Sequence, residues 1–150
     1  MCLQKNETPS IALHLFQTFP VKNNEFVSLL QSVVSHWQLS AKAYVEYMEN
    51  GKKFRYAEML KVHNTAVKKL LTDNMYILPE NLKEDAGALI EHYTIWSGKW
   101  DDLKNKLNPA PDDEFVFEND HRFPRTAAQN LETVLKDLSA DDSIGQNSPK

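Results

Sequence analysis

The sequence has few residues that would cross-link, bend or embed the chain: among its 150 residues there are one cysteine and four glycines. Cys2 has no second cysteine with which to form an internal disulfide bond, which suits a reducing compartment. No apolar run approaches the ~20 residues that span a bilayer, and the opening MCLQKNETPS lacks the apolar core of a secretory signal. We therefore expect a cytosolic protein without a membrane partner.

Several motifs typical of enzymes and metal proteins are also missing. The sequence contains no glycine-rich phosphate loop, no Cys-x-x-Cys, no His-Glu-x-x-His and no Gly-x-Ser-x-Gly. The net charge of −4 and the pI of about 5.7 argue against a protein that coats nucleic acid, because such binding depends on neutralised phosphates. Any catalytic or metal site must therefore be built from residues that are scattered along the chain.

Scarce glycine and long segments of helical period favour an all-α fold over a turn-rich β fold. A chain of 150 residues fits one domain, and we predict an up-down bundle of four to five helices with a long acidic loop before the last helix. Residues 1–139 should form the domain, and residues 140–150 a disordered tail, because the tail has too little apolar surface to offset its ordering entropy. The predicted helices are Ile11–Phe19, Asn24–Asn50, Phe54–Tyr76, Pro79–Leu107 and Pro124–Leu138.

The helix Asn24–Asn50 has the clearest apolar stripe. Its members recur at steps of three and four residues, and Asn50-Gly51 supplies a left-handed stop. An aromatic stripe at this spacing is usually core, although surplus apolar surface on this helix or on Pro79–Leu107 would allow self-association. The stripe consists of Phe26, Leu30, Val33, Trp37, Ala41, Tyr44 and Met48.

The segment 108–124 has no helical period and combines three prolines with many acidic residues. Phe115 and Phe117 alternate with their neighbours as in a short strand, and we expect them to hold the loop on the bundle. The carboxylates lack the glycine and the terminal glutamate of a calcium loop, so solvation is the expected role and cation binding the alternative. These carboxylates are Asp112, Asp113, Glu114, Glu118 and Asp120.

Three histidines are predicted to lie near one layer of the bundle. If the helices on either side of residues 77–78 are antiparallel, His63 lies about 15 residues before the turn and His92 about 14 after it, at the same height. Folding the preceding helix back at Gly51 brings His36 close to that layer.

Neutral imidazoles in such a layer can bind zinc with water in the fourth position, and Glu91 is placed to support His36, His63 and His92. Zinc is the only cofactor that the sequence suggests. The alternative is a set of core histidines that are hydrogen-bonded to each other or to neighbouring polar groups.

A lysine face formed by Lys61, Lys68 and Lys69 is the only surface on which we would expect nucleic acid, and such charge is normally solvated. In outline, an all-α domain of this size resembles the HEPN ribonucleases, whose mark is an Arg followed after about four to six residues by a His. Here seven residues separate Arg55 from His63, which places them about 80° off one helix face. RNA cleavage is therefore a minor alternative.

Together these patterns favour a non-enzymatic cytosolic interaction or regulatory protein that binds a protein partner or a second copy of itself. Trp96, Trp100, Phe115 and Phe117 are the candidate contact residues, because aromatic side chains dominate interface energetics. The alternative is a metal-binding protein, or a hydrolase or ribonuclease, that uses the histidine layer.

Overall fold

The computed structural model of the protein describes residues 23–145 and the side chains of residues 24–141. Over residues 23–145 the chain forms helices and no β-strand, so the all-α prediction is confirmed. None of these helices is long and apolar enough to cross a membrane. Cys2 and the predicted helix Ile11–Phe19 lie outside the described residues. The helices are α1 (Asn23–Glu49), α2 (Phe54–Asp73), a 3₁₀ turn (Met75–Ile77), α3 (Glu80–Leu107) and α4 (Arg125–Gly145).

Two helix ends use left-handed backbone. Gly51 has a φ of 72° and Lys52 a φ of 53°, so the predicted stop after α1 is present and extends over one further residue. Asn108 ends α3 with a φ of 42°, and its N–H donates to the carbonyl of Lys104. Glycine and asparagine adopt this conformation at lower cost than other residues, which is why they end helices.

The last helix is longer than predicted. It begins beside Pro124, as expected, but continues past Leu138 to Gly145. Residues 140–145 are therefore helical. The disordered tail stays a prediction, and its residues 146–150 lie outside the described part of the chain. Burial of an apolar face decides whether a helix forms at all. Once it has formed, each residue added at its end gains one hydrogen bond, so the helix can extend beyond its apolar face.

The larger hydrophobic core is shared by all four helices. Val67 of α2, Leu89 of α3 and Leu131 of α4 are completely buried in it, beside Leu30 of α1. Each helix packs on the next along the chain, and α1 also packs on α4. The four helices therefore enclose one common interior.

A smaller cluster, called the loop core below, forms where segment 108–124 returns to the start of α2. Phe115 is 0% exposed, and its ring centre lies 5.2 Å from that of Phe54 and 5.3 Å from that of Trp100. The Tyr47 hydroxyl donates to the Phe115 carbonyl over 2.5 Å. The prediction that Phe115 holds the loop on the bundle is confirmed. The buried members of the loop core are Tyr47, Phe54, Ala57, Trp96, Trp100 and Phe115.

The loop backbone also caps α2. Lys53, at the N-cap position, makes no side-chain capping bond, so the first N–H groups of the helix need other acceptors. The Phe54 N–H donates to the Asp113 carbonyl and the Arg55 N–H to the Pro111 carbonyl, both over 2.9 Å. These bonds fix the path of a long connection that contains little secondary structure of its own.

Replacing Phe115 by alanine should lower the free energy of unfolding by about 3–5 kcal/mol, because it removes a fully buried ring and leaves a cavity. Urea denaturation of the wild type and the variant measures this difference. Val116→Ala is the matched control: Val116 is 42% exposed, and its truncation should change stability by less than about 0.5 kcal/mol. Equal losses in the two variants would contradict the role assigned to Phe115.

Candidate ligand-binding cleft

The predicted apolar stripe of α1 is covered over only half its length. Phe26, Leu30 and Val33 are buried in the larger core, as expected. Farther along the helix Tyr44 is 53% exposed, and Ala41 is also exposed. The second half of the stripe therefore faces a space that no other described helix fills.

That space is a cleft of about 700 Å³ between the four helices and the loop. Its wall includes Tyr93 and Ala128 from the larger core and Tyr47 and Ala57 from the loop core. All three tryptophans of the chain also line it. Ligand sites typically have volumes of about 300–1,000 Å³ and mostly apolar walls, and this cleft has both properties.

A few polar side chains interrupt the apolar wall. Asn64 and His92 are the two polar side chains that are buried in the described part of the chain, and both line the cleft. Ser40 Oγ donates to Asn64 Oδ1 over 2.9 Å, which orients the amide. Arg125 and Glu132 of α4 add one charge of each sign to the wall.

Tyr93 joins α3 to α1 in the wall of the cleft. The Nε1–H of Trp37 donates to the Tyr93 hydroxyl over 2.8 Å. Burial raises the pKa of Tyr93 to about 12, and the hydrogen bond from Trp37 opposes this rise. The phenol is therefore neutral near pH 7, and its role is to hold the Trp37 ring in place.

Trp100 brings a donor without a partner. Its side chain is 2% exposed, and among the described residues no acceptor meets its Nε1–H. A buried donor that is left unsatisfied costs about 1–3 kcal/mol. Trp100 lines the cleft, but its Nε1–H is buried behind the wall, so a ligand reaches this donor only if the ring or its neighbours move.

The structure places the predicted contact residues in the loop core and not on an open surface. Trp96, Trp100 and Phe115 are buried, and Phe117 packs against Trp96 with ring centres 5.3 Å apart. Phe115 is therefore a packing residue. Trp96, Trp100 and Phe117 line the cleft, so contact between these three and a ligand stays a prediction.

The predicted zinc residues are divided between two places. His36 of α1 pairs with His63 of α2, with the two Nδ1 atoms 3.2 Å apart. His92 of α3 pairs instead with His121 of the loop, also at 3.2 Å, and the Glu91 side chain is exposed. Within the described residues, no group of three or more His, Cys, Asp or Glu side chains is arranged to hold a metal ion.

The helical period could not reveal this division. The period places His63 and His92 on the inward faces of their helices, but α2 has neighbours on two sides. His63 faces α1, and His92 faces the loop. His121 belongs to a segment without a period, so no pattern in the sequence identified it as a partner.

His92 is held neutral by its surroundings. The ring centres of Tyr93 and Phe123 both lie 5.3 Å from its own. Burial lowers the pKa of His92, the neighbouring His121 lowers it further, and a hydrogen bond with the backbone of Arg122 opposes both. Burial also lowers the pKa of His63, and His36 adds to that effect.

Three of the basic residues singled out in the sequence, Arg55, Lys61 and Lys69, are engaged by acidic partners. Arg55 Nη2 lies 2.6 Å from Asp112 Oδ1, whereas His63 faces α1, so the structure does not bring the Arg and His of the ribonuclease pattern together. Lys61 Nζ lies 2.8 Å from Asp101 Oδ1, between α2 and α3. Lys61 is therefore not part of an outward lysine face.

The loop carboxylates are also used locally. The Asp113 side chain accepts the Ala110 N–H over 2.8 Å, and Asp120 pairs with Lys99. Together with the ion pair of Asp112, these contacts bind the loop to itself and to the helices.

Comparison of the chain with protein-family models, with curated proteins and with solved structures finds no match. The cleft and the two histidine pairs are therefore interpreted from their geometry alone.

The free energy of unfolding should fall as the pH drops below about 6.5. Because the pKa of His92 is lowered in the folded protein, the unfolded chain binds the proton first, and stability is lost between the unfolded pKa and the lower folded pKa. Urea denaturation at about pH 7.5 and about pH 5.5 measures the loss.

Two variants separate the effect of burial on the pKa of His92 from the effect of the neighbouring His121. His92→Gln should reduce the pH dependence more than His121→Gln does, because burial is the largest cause of the shift and the charge of His121 the second. A His92→Gln variant with the full pH dependence of the wild type would contradict this assignment.

Proposed function

We propose that the protein is a non-enzymatic, cytosolic binding protein whose cleft takes an apolar, preferably aromatic, side chain of a protein partner. The observation that carries the proposal is the second half of the α1 stripe. Trp37 is only partly buried, and Ala41 and Tyr44 are exposed, yet all three have the spacing of core residues and line a cleft. Burying such surface against a partner is favourable by about 25 cal/mol per Å² of apolar area.

The polar groups of the cleft support binding more than chemistry. The Tyr93 hydroxyl is neutral and bonded to Trp37, and His92 is paired with His121. Both groups are thus engaged in positioning other side chains. The hydrolase and ribonuclease alternatives lose their main support, because the histidine layer on which they depended is divided into two pairs.

The donors in the wall favour a peptide as the ligand. The Asn64 side chain lines the cleft, and its amide has two N–H groups beside the oxygen that accepts from Ser40. A peptide carries carbonyl acceptors next to each side chain. An aromatic side chain with its own backbone carbonyl therefore satisfies both the apolar wall and these donors.

An aromatic probe tests the cleft directly. Anilinonaphthalene sulfonate should bind the native protein saturably with one molecule per chain and should quench tryptophan fluorescence, because all three tryptophans line the cleft. N-acetyl-tryptophan amide, which has an indole ring and two carbonyls, should displace it. Tyr44→Ala should weaken probe binding about tenfold, a loss typical of a contact aromatic.

Val45→Ala is the matched control. Val45 is the next residue on the same helix and is 50% exposed, but it does not line the cleft, so its truncation should leave probe affinity unchanged. Absence of saturable binding, or equal losses in Tyr44→Ala and Val45→Ala, would refute the proposal.

A further inference from the structure

His36 and His63 bring two metal-binding atoms together from different helices. Their Nδ1 atoms are 3.2 Å apart, and their ring planes are tilted by 42°. The binding proposed for the cleft makes no use of this pair. Without an ion the contact is one hydrogen bond, in which one imidazole has its proton on Nδ1 and the other offers a lone pair.

The same spacing suits two ligands of a single metal ion. Zinc binds imidazole nitrogen at about 2.0–2.1 Å, so two nitrogens on a tetrahedral ion stand about 3.3 Å apart, and two at a right angle about 2.9 Å. The observed 3.2 Å lies between these values. The ring centres are 5.5 Å apart, so the two Nδ1 atoms point at each other, and each ring must rotate by roughly 35° to aim its lone pair at an ion with tetrahedral angles.

Accessibility distinguishes this pair from the pair of His92 and His121. An ion with two protein ligands keeps water in its other positions and needs room for it. His92 is 5% exposed and packed by aromatic rings, whereas His36 and His63 are both half-buried. The pair of His36 and His63 is therefore the more accessible of the two, and water can complete the coordination of an ion there.

We propose that His36 and His63 bind one divalent transition-metal ion through their Nδ1 atoms, with water completing its coordination. Binding moves the proton of one imidazole from Nδ1 to Nε2, so that both rings offer an Nδ1 lone pair, and at neutral pH no net proton is released. Imidazole ligands select zinc and copper(II) over magnesium, and copper(II) binds more tightly than zinc.

A melting experiment on the full chain, without an affinity tag, tests the site. Zinc should raise the melting temperature by roughly 3–5 °C for each tenfold increase in free ion above the dissociation constant, since only the folded chain holds the two histidines together. Copper(II) should act at lower concentration, and magnesium should have no effect. Calorimetric titration should give one zinc ion per chain.

Three variants locate the ion. His36→Gln and His63→Gln should each remove at least about 90% of the zinc affinity, because loss of one of two ligands ends chelation. His121→Gln, which breaks the other pair, should bind zinc as the wild type does. Zinc binding that survives in both His36→Gln and His63→Gln, or that is lost in His121→Gln, would overturn the proposal, as would a wild type that binds no zinc.

Nuclear magnetic resonance of the wild type keeps the test decisive if a glutamine variant fails to fold. Added zinc should shift the imidazole signals of His36 and His63 and leave those of His92 and His121 in place. Shifts at His92 and His121, or none at His36 and His63, would overturn the proposal.

Discussion

The burial of Phe115 is the interaction on which the second half of the structure depends. This one residue meets three helices: its carbonyl accepts the Tyr47 hydroxyl of α1, and its ring packs on Phe54 of α2 and Trp100 of α3. The preceding loop residues can then cap α2, and Phe117 and the residues after it reach the wall of the cleft. A connection without helix or strand is thereby given a fixed path by one ring and a few backbone bonds.

The cleft exists because the two cores do not merge. The polar side chains buried in the described residues, Asn64 and His92, both lie in the cleft wall. Burying a polar group without a partner costs free energy, so each such group needs a neighbour that bonds to it: Ser40 serves Asn64, and His121 serves His92. A third polar contact, between Trp37 and Tyr93, lies on the side of the larger core, to which Tyr93 belongs and against which Trp37 packs. Side chains that must satisfy these bonds cannot also close over one another, and the space between the cores remains open.

The sequence predicted the features that depend on short-range pattern. The apolar stripe of α3, from Leu82 to Trp100, is buried as its spacing requires, Gly51 takes the left-handed turn, and Phe115 anchors the loop. The same reasoning could not show that the stripe of α1 is exposed beyond Trp37, because a stripe specifies a face and not what covers it. It also could not choose between two neighbours for His63. That choice depends on how α2 is rotated about its own axis between α1 and α3. Packing across the whole bundle sets this rotation, and the helical period of 3.6 residues does not determine it. The up-down arrangement of the helices stays a prediction for the same reason.

Helix α1 serves both the cleft and the histidine pair because consecutive helical residues point about 100° apart. Trp37 turns into the cleft and bonds to Tyr93, while His36 turns to α2 and meets His63. An ion bound between the histidines would fix the spacing of α1 and α2 beside Trp37, and both helices contribute side chains to the wall of the cleft. The two binding events would then be coupled, and thermodynamic linkage requires each to change the affinity of the other by the same factor.

The geometry determines whether the ion raises or lowers ligand affinity. A ligand that needs α1 and α2 at the spacing of the chelated pair binds more tightly with the ion, and a ligand that pushes the helices apart binds more weakly. The effect of zinc on ligand affinity would therefore show whether a bound ligand keeps α1 and α2 at the spacing of the chelated pair or moves them apart.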